Sequence, residues 1–289
     1  MPPPPTHSDI LNTADGLQLQ SRAWTPTGTC KGTVLVQHGF AEHGGRYGHL
    51  VDALLPAGYA VTSFDARGHG RSGGTRVFVE RFDSYLDDLK LALDATKQKL
   101  PGPIFLFGHS MGGLIVAKFL EQNGAAGMKQ MGVQGSILSN PALANKVKIP
   151  AWKSTLAQVM ANIAPKLRMP SGIPPEDVSR DMAEVRAYDA DPLNVKVATA
   201  RWYTEFVAAQ AQTLARPETL RDIPLLALIG DGDRIIDPQA TLEFLRKIES
   251  HVLTVKTYAG FYHELINEPE ADRARVLADT VAWLDAHVS

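Results

Sequence analysis

The stretch Ile104-Phe-Leu-Phe-Gly-His-Ser-Met-Gly-Gly113 decides how the rest of the chain is read. Within it, Gly108-His-Ser-Met-Gly112 matches G-x-S-x-G, with an apolar run before the motif and the helix-like Leu114-Ile-Val-Ala-Lys-Phe-Leu120 after it. That context of strand, sharp turn and helix gives the motif its meaning. A strand entering a helix so tightly holds the central residue in strained dihedrals, and glycine at 108 and 112 lets neighbouring backbones come close. Ser110 is thereby pushed out at the carboxyl edge of a sheet as a candidate nucleophile. The amide of Met111 lies at a helix N-terminus, where unpaired N–H groups and the positive dipole end favour a developing oxyanion. The bare pattern also arises by chance in Gly-rich loops; it is the two flanks that favour catalysis.

The chain of 289 residues fits one large α/β domain or two small ones and can bury a sizeable core. With 29 Lys and Arg against 31 Asp and Glu, the net charge of -2 points away from nucleic acid and from electrostatic attachment to anionic membranes. A neutral, apolar substrate is compatible with it. The single cysteine, Cys30, excludes an internal disulfide and reads as incidental. Met1-Pro-Pro-Pro-Pro5 lacks the basic segment and apolar run of a signal peptide, so residues 1–16 are expected to be a disordered Pro-rich tail and turn. No apolar run reaches the length of a membrane span, and a cytoplasmic protein is expected.

Leu17-Gln-Leu-Gln-Ser-Arg-Ala-Trp24 alternates apolar with polar and reads as a half-buried edge strand of a hairpin, with Ala14-Asp-Gly16 as its turn. Thr33-Val-Leu-Val-Gln37 is the kind of continuous run found in buried parallel strands, and His38-Gly-Phe-Ala-Glu-His-Gly-Gly-Arg-Tyr47 follows it. In a serine hydrolase of this architecture the loop after the third strand supplies a second oxyanion donor, which makes the amide of Phe40 the candidate. Asp65-Ala-Arg-Gly-His-Gly-Arg-Ser-Gly-Gly74 could cradle phosphate by its glycines and charge, but it has neither Walker nor G-x-G-x-x-G spacing and reads as a structural turn. Phe82, Tyr85, Leu86, Leu89 and Leu93 recur at helical spacing up to the stop at Pro101. Strands and helices alternate as in a doubly wound, mostly parallel sheet.

The rhythm fails between residues 142 and 221. The stretch has no good strand and is punctuated by Pro150, Pro165, Pro170, Pro174 and Pro175. One helical patch puts Trp152, Leu156, Val159, Met160, Ile163 and Leu167 on one face, and another keeps Trp202, Phe206, Ala209 and Leu214 apolar. An insertion of this size beside an active site reads as a lid. Packing against the body is the plain account of the apolar stripe; contact with lipid is the alternative.

After Ile223-Pro-Leu-Leu-Ala-Leu-Ile229 come three carboxylates in one turn, Asp231, Asp233 and Asp237, of which Asp237 before Pro238 looks like a helix N-cap. Among nine histidines, His263 follows the last strand, Leu253–Tyr258, and lies downstream of every candidate acid, which makes it the base. His38 and His109 flank motif glycines, where hydrogen bonding in the core or beside the nucleophile suits them. The chain order of nucleophile, acid and histidine is that of the α/β-hydrolases, not of chymotrypsin or subtilisin.

His38-Gly-Phe-Ala-Glu-His-Gly-Gly-Arg-Tyr47, Asp65-Ala-Arg-Gly-His-Gly-Arg-Ser72, Gly108-His-Ser-Met-Gly-Gly113, Tyr188-Asp-Ala-Asp-Pro-Leu193, Gly230-Asp-Gly-Asp-Arg234 and His263-Glu-Leu-Ile-Asn-Glu268 together resemble the monoacylglycerol lipases and their lysophospholipase relatives. The resemblance runs from about Trp24 to the C-terminus. It implies an α/β-hydrolase fold: an eight-stranded, mostly parallel sheet built from residues 17–141 and 222–289, with 142–221 inserted as a helical cap. It also implies a triad of Ser110, Asp233 and His263, oxyanion amides at Phe40 and Met111, and a polar, glycerol-side pocket end organised by Glu42 and Arg46. His109 beside the nucleophile, and Leu156, Met160 and Ile163 of the cap, are the further residues expected to meet substrate. Phe40 departs from the smaller residue that many relatives carry there. The expected partner is a neutral lipid ester, with transient micelle or membrane contact through the cap and with no metal, organic cofactor or nucleic acid. Lysophospholipase or short-chain esterase activity is the neighbouring expectation, acyl transfer to an alcohol uses the same triad, and a binding protein that has lost its chemistry is the contrasting class.

Overall fold

A computed structural model describes residues 3–146 and 151–288, without the side chains of 151–154; the readings made at Met1, Pro2, Pro150 and the side chain of Trp152 lie outside the described residues. In chain order the main elements are β1 (His7–Asn12), β2 (Gln18–Trp24), β3 (Gly32–Gln37), α1 (Gly48–Leu54), β4 (Tyr59–Phe64), α2 (Asp83–Lys99), β5 (Ile104–His109), α3 (Met111–Gln130) and β6 (Val133–Ser139). The insertion expected to be the cap, and so labelled below, follows with α4 (Ala151–Ile163), β7 (Arg168–Pro170), α5 (Met182–Ala190), β8 (Val197–Thr199) and α6 (Ala200–Leu214), and the chain returns through β9 (Leu225–Gly230), α7 (Pro238–Lys247), β10 (Leu253–Tyr258) and α8 (Glu270–His287).

Eight strands form one sheet in the order β1-β2-β4-β3-β5-β6-β9-β10. Pairing is parallel from β4 through β10, while β1 and β2 join antiparallel. The central strands β3, β4, β5 and β9 are buried at every position, as their unbroken apolar runs require when helices cover both faces. One face packs Leu50 and Leu54 of α1 with Val276, Trp283 and Leu284 of α8; the other packs Leu89 and Leu93 of α2, Ile115 and Phe119 of α3, Phe244 of α7 and Trp202 of the cap. This is the α/β-hydrolase architecture. Among the described residues no helix is long and apolar enough to cross a membrane.

Three local readings are corrected. The segment expected to be a disordered tail contains β1, which pairs with β2 from His7 opposite Ala23 to Asn12 opposite Gln18, and Trp24 Nε1 donates to Pro3 O at 2.8 Å. The turn at Thr13–Gly16 is tied by Thr13 to Asp15 and Leu17, which zips the short strand onto its neighbour where its own weak alternation gives little signal. Consequently β2 is an inner strand and β1 is the edge. The stretch read as having no strand holds a small antiparallel ribbon, β7 against β8, whose pairing through Pro170 gave no β-like pattern.

Candidate active site

Gln37 and the elbow shape each other. A Cβ on Gly112 would stand 2.0 Å from the Gln37 carbonyl oxygen, and one on Gly108 would stand 2.5 Å from the Gly112 oxygen, so only glycine lets β3, β5 and α3 meet. Ser110 between them has φ 52° and ψ −119°, an arrangement costing ~1–3 kcal/mol that the surroundings must hold. They do so at both ends of the residue. Its N–H donates to Ser139 O at 3.0 Å, and its carbonyl accepts from Leu114 N at 3.1 Å and Ala142 N at 2.9 Å. Met111 opens α3 as its first residue and is fully buried. Gly39, the neighbour of Phe40, faces the serine, since a Cβ there would lie 3.1 Å from Ser110 Cβ.

Of the three carboxylates in the turn after β9, Asp233 is the one that meets the histidine. Its Oδ2 lies 2.7 Å from His263 Nδ1, while Oδ1 accepts from the amides of Ile235 at 2.8 Å and Ile236 at 3.0 Å. Asp237 caps α7 by accepting from Gln239 N and Ala240 N, and Asp231 accepts from Gly260 N. Burial disfavours charge on either member of the pair, but the opposite charge and the bond between them outweigh it. The Asp233 carboxyl is thus held below, and the His263 imidazolium above, its ordinary range. With Nδ1 engaged by the carboxylate, Nε2 is left as the proton acceptor. His109 packs at 4.8 Å between ring centroids from His263, and its Nδ1 donates to Ser139 O; burial pushes its pKa down to about 4, so it stays neutral.

Glu42 and Arg46 are consumed by a buried network rather than offered freely to a ligand. Glu42 Oε1 accepts from Gly39 N at 2.6 Å and from Tyr47 OH at 2.8 Å, and its Oε2 accepts from Arg46 at 3.2 Å. The Arg46 guanidinium forks onto Glu264 at 2.5 and 2.9 Å and lies over the Tyr188 ring. Its charge holds the Glu264 carboxyl below the usual range against the opposing effect of burial. Glu42, Arg46, Tyr47, Glu264 and His109 line a cavity of about 10 Å³, the room of about one water.

The cap residues expected around the acyl chain are placed differently. Leu156 is 52% exposed and Ile163 74%, with Val159 and Leu167 beside them also exposed and Met160 half-buried. The inward face of α4 is made by Ala157 and Ala161, whose small side chains let α4 lie close on α6 and leave the large ones outside. Sequence reasoning missed two other residues. Asn140, at φ 40°, donates to Tyr262 O and His263 O at 3.0 and 2.8 Å and accepts from Gly230 N at 2.8 Å, tying the histidine loop to the end of β9. Trp202 of α6 stacks on Phe40 at 4.5 Å. Asn140 beside Pro141 is a signal for a chain break that tolerates positive φ; nothing in the sequence gives its partners.

Residues 28–270 match the family model described as serine aminopeptidase, S33. The chain is 32% identical to a monoacylglycerol lipase of Mycolicibacterium smegmatis, over 94% of this chain and 95% of that one. It is 32% identical to the Homo sapiens monoglyceride lipase, over 89% of this chain and 84% of that one. The structure of a soluble variant of Saccharomyces cerevisiae monoglyceride lipase in complex with a substrate analog superposes with a TM-score of 0.84 at 26% identity, covering 99% of this chain and 96% of that one.

Proposed function

Since the chain belongs to the monoacylglycerol lipase family of α/β-hydrolases, whose members are serine hydrolases of carboxylic esters, we propose that it cleaves monoacylglycerols to fatty acid and glycerol with Ser110 as nucleophile. The observation that carries this reading is the buried His263–Asp233 pair at the strand edge where the elbow presents Ser110. His263 Nε2 takes the Ser110 proton as Oγ attacks the ester carbonyl, Asp233 fixes the tautomer, and the amides of Phe40 and Met111 stabilise the oxyanion. His263 then protonates the departing glycerol oxygen, and water releases the acyl group by the same steps in reverse roles. Glu42 supports this assignment by holding the Gly39 amide, the peptide next to Phe40. The exposed stripe of α4 supports a second element of the reading, that the cap rests on the lipid aggregate from which a neutral substrate is drawn.

Ser110→Ala tests the assignment. The purified, folded variant should lose at least about a thousandfold in kcat on monoacylglycerol. Retention of a tenth of the wild-type rate removes Ser110 from the mechanism.

A further inference from the structure

The loop that carries the Phe40 amide is held from both the body and the cap. Ala41 sits at φ 66°, a left-handed conformation that a side-chain-bearing residue keeps only when its surroundings impose it. Part of that support comes from the body, through Glu42 Oε1 on Gly39 N. Further support comes from one side of the cap. Val195 N donates to Ala41 O at 2.9 Å, His43 Nε2 lies 2.9 Å from Asp191 Oδ2, and the Phe40 ring stacks on the Trp202 indole at 4.5 Å with 25° between planes.

Trp202 is in turn firmly placed. Phe206 stacks behind it at 4.9 Å and 12°, and the start of α6 is fastened to the body by Thr199 Oγ1 on Val77 O at 2.7 Å and by Glu205, which accepts from Phe82 N at 3.0 Å. The Phe40 ring also makes an edge-type contact with the buried His69 ring, 6.4 Å between centroids with 79° between planes. The ring and the N–H of Phe40 share one Cα. Contact of the ring with an anchored indole and a buried imidazole therefore limits the directions in which that N–H can point.

We propose that Trp202 is a positioning residue for ester hydrolysis, acting through the Phe40 ring to aim the Phe40 amide at the oxyanion. The proposal rests on the reading of Phe40 as an oxyanion donor. It gives the large residue at position 40 a purpose: where a small side chain would leave the loop to its own backbone, the aromatic one takes its orientation from the cap. Pre-aimed donors stabilise charge only as it develops, so a loosened donor lowers turnover more than binding.

The test uses p-nitrophenyl acetate, a soluble ester that needs the serine chemistry but no monoacylglycerol preference. Failure of the substrate reading therefore leaves this test intact, and failure of this test leaves that reading standing. Trp202→Leu should lower kcat about tenfold to a hundredfold with KM within about twofold, since a misaimed donor costs less than a deleted one. Trp202→Phe keeps a ring to stack and should stay within about threefold of wild type. If Trp202 works through Phe40, the Phe40→Leu/Trp202→Leu double variant is no slower than the slower single variant. Circular dichroism melts put each kcat on a folded-enzyme basis; if Trp202→Leu does not fold, Phe40→Leu should still be slow where Trp202→Phe is not. A Trp202→Phe loss as deep as that of the leucine variants, single losses that multiply in the double variant, or a raised KM with intact kcat would each overturn the proposal.

Discussion

Asp233 and Asp237 stand four positions apart in one turn, and their bonds separate a candidate triad carboxylate from a helix cap. Asp233→Asn should keep the shape but present the wrong hydrogen-bonding partner to His263 Nδ1, cutting kcat about 10⁴-fold. Asp237→Ala should cost about 0.5–2 kcal/mol of stability by freeing the first amides of α7, and leave kcat per folded enzyme nearly unchanged. Kinetics and urea melts on both variants decide it, and the reverse ranking would move the acid to Asp237. The sequence narrows the acid to one turn but does not choose within it on local grounds, because the choice depends on a partner thirty residues away. Asn140 was out of reach for the same reason. Its three bonds go to Gly230, Tyr262 and His263, residues brought to it only when β6 and β9 pair.

At the scale of elements, periodicity is a reliable guide to helices and a poor one to what they face. The apolar spacing of α4 correctly gives a helix, yet the stripe that looks like its core face is its outer one, because Ala157 and Ala161 provide the closer packing. A helix read alone offers no way to weigh a small inward residue against a large outward one. The exposed stripe is the basis for expecting contact with lipid aggregates. Burying one large side chain contributes about 1.5–3 kcal/mol, so the Leu156→Ser/Ile163→Ser variant should raise KM for a long-chain monoacylglycerol by at least about tenfold. Its kcat on a short soluble ester should be unaffected. Equal losses on both substrates would show that these residues matter for folding alone. The ribbon β7–β8 escaped notice because it is three residues long on each side and includes a proline, too short for any alternation to register.

Over the whole molecule, the sheet gathers its chemistry from strand ends far apart in the chain, and it does so over a core containing unusual passengers. His38, His69 and His109 are enclosed, each with Nδ1 donating to a backbone carbonyl, and burial pushes their pKa values down to about 4, 3 and 4. His38 and His69 lie 5.3 Å apart, so a charge on one would oppose a charge on the other. Their unfolded counterparts take up protons near pH ~6.5 while the folded ones do not. The unfolded state then binds more protons, so stability is lost as the pH is lowered, by about 1.4 kcal/mol per unit for each histidine between roughly pH 6 and pH 4. His263, whose folded pKa is raised, acts in the opposite sense only above ~6.5 and does not offset this loss. Three such groups together remove about 4 kcal/mol per pH unit, against a typical reserve of about 5–15 kcal/mol. Urea midpoints should therefore drop steeply from pH 6.5 to pH 5, and a flat midpoint across that interval would refute the account. These rings, none of which is the candidate base, thus set an acid limit on the fold. On acidification ester cleavage should fail first, as His263 takes up its proton, and the fold should follow, so that the loss of activity precedes the loss of structure.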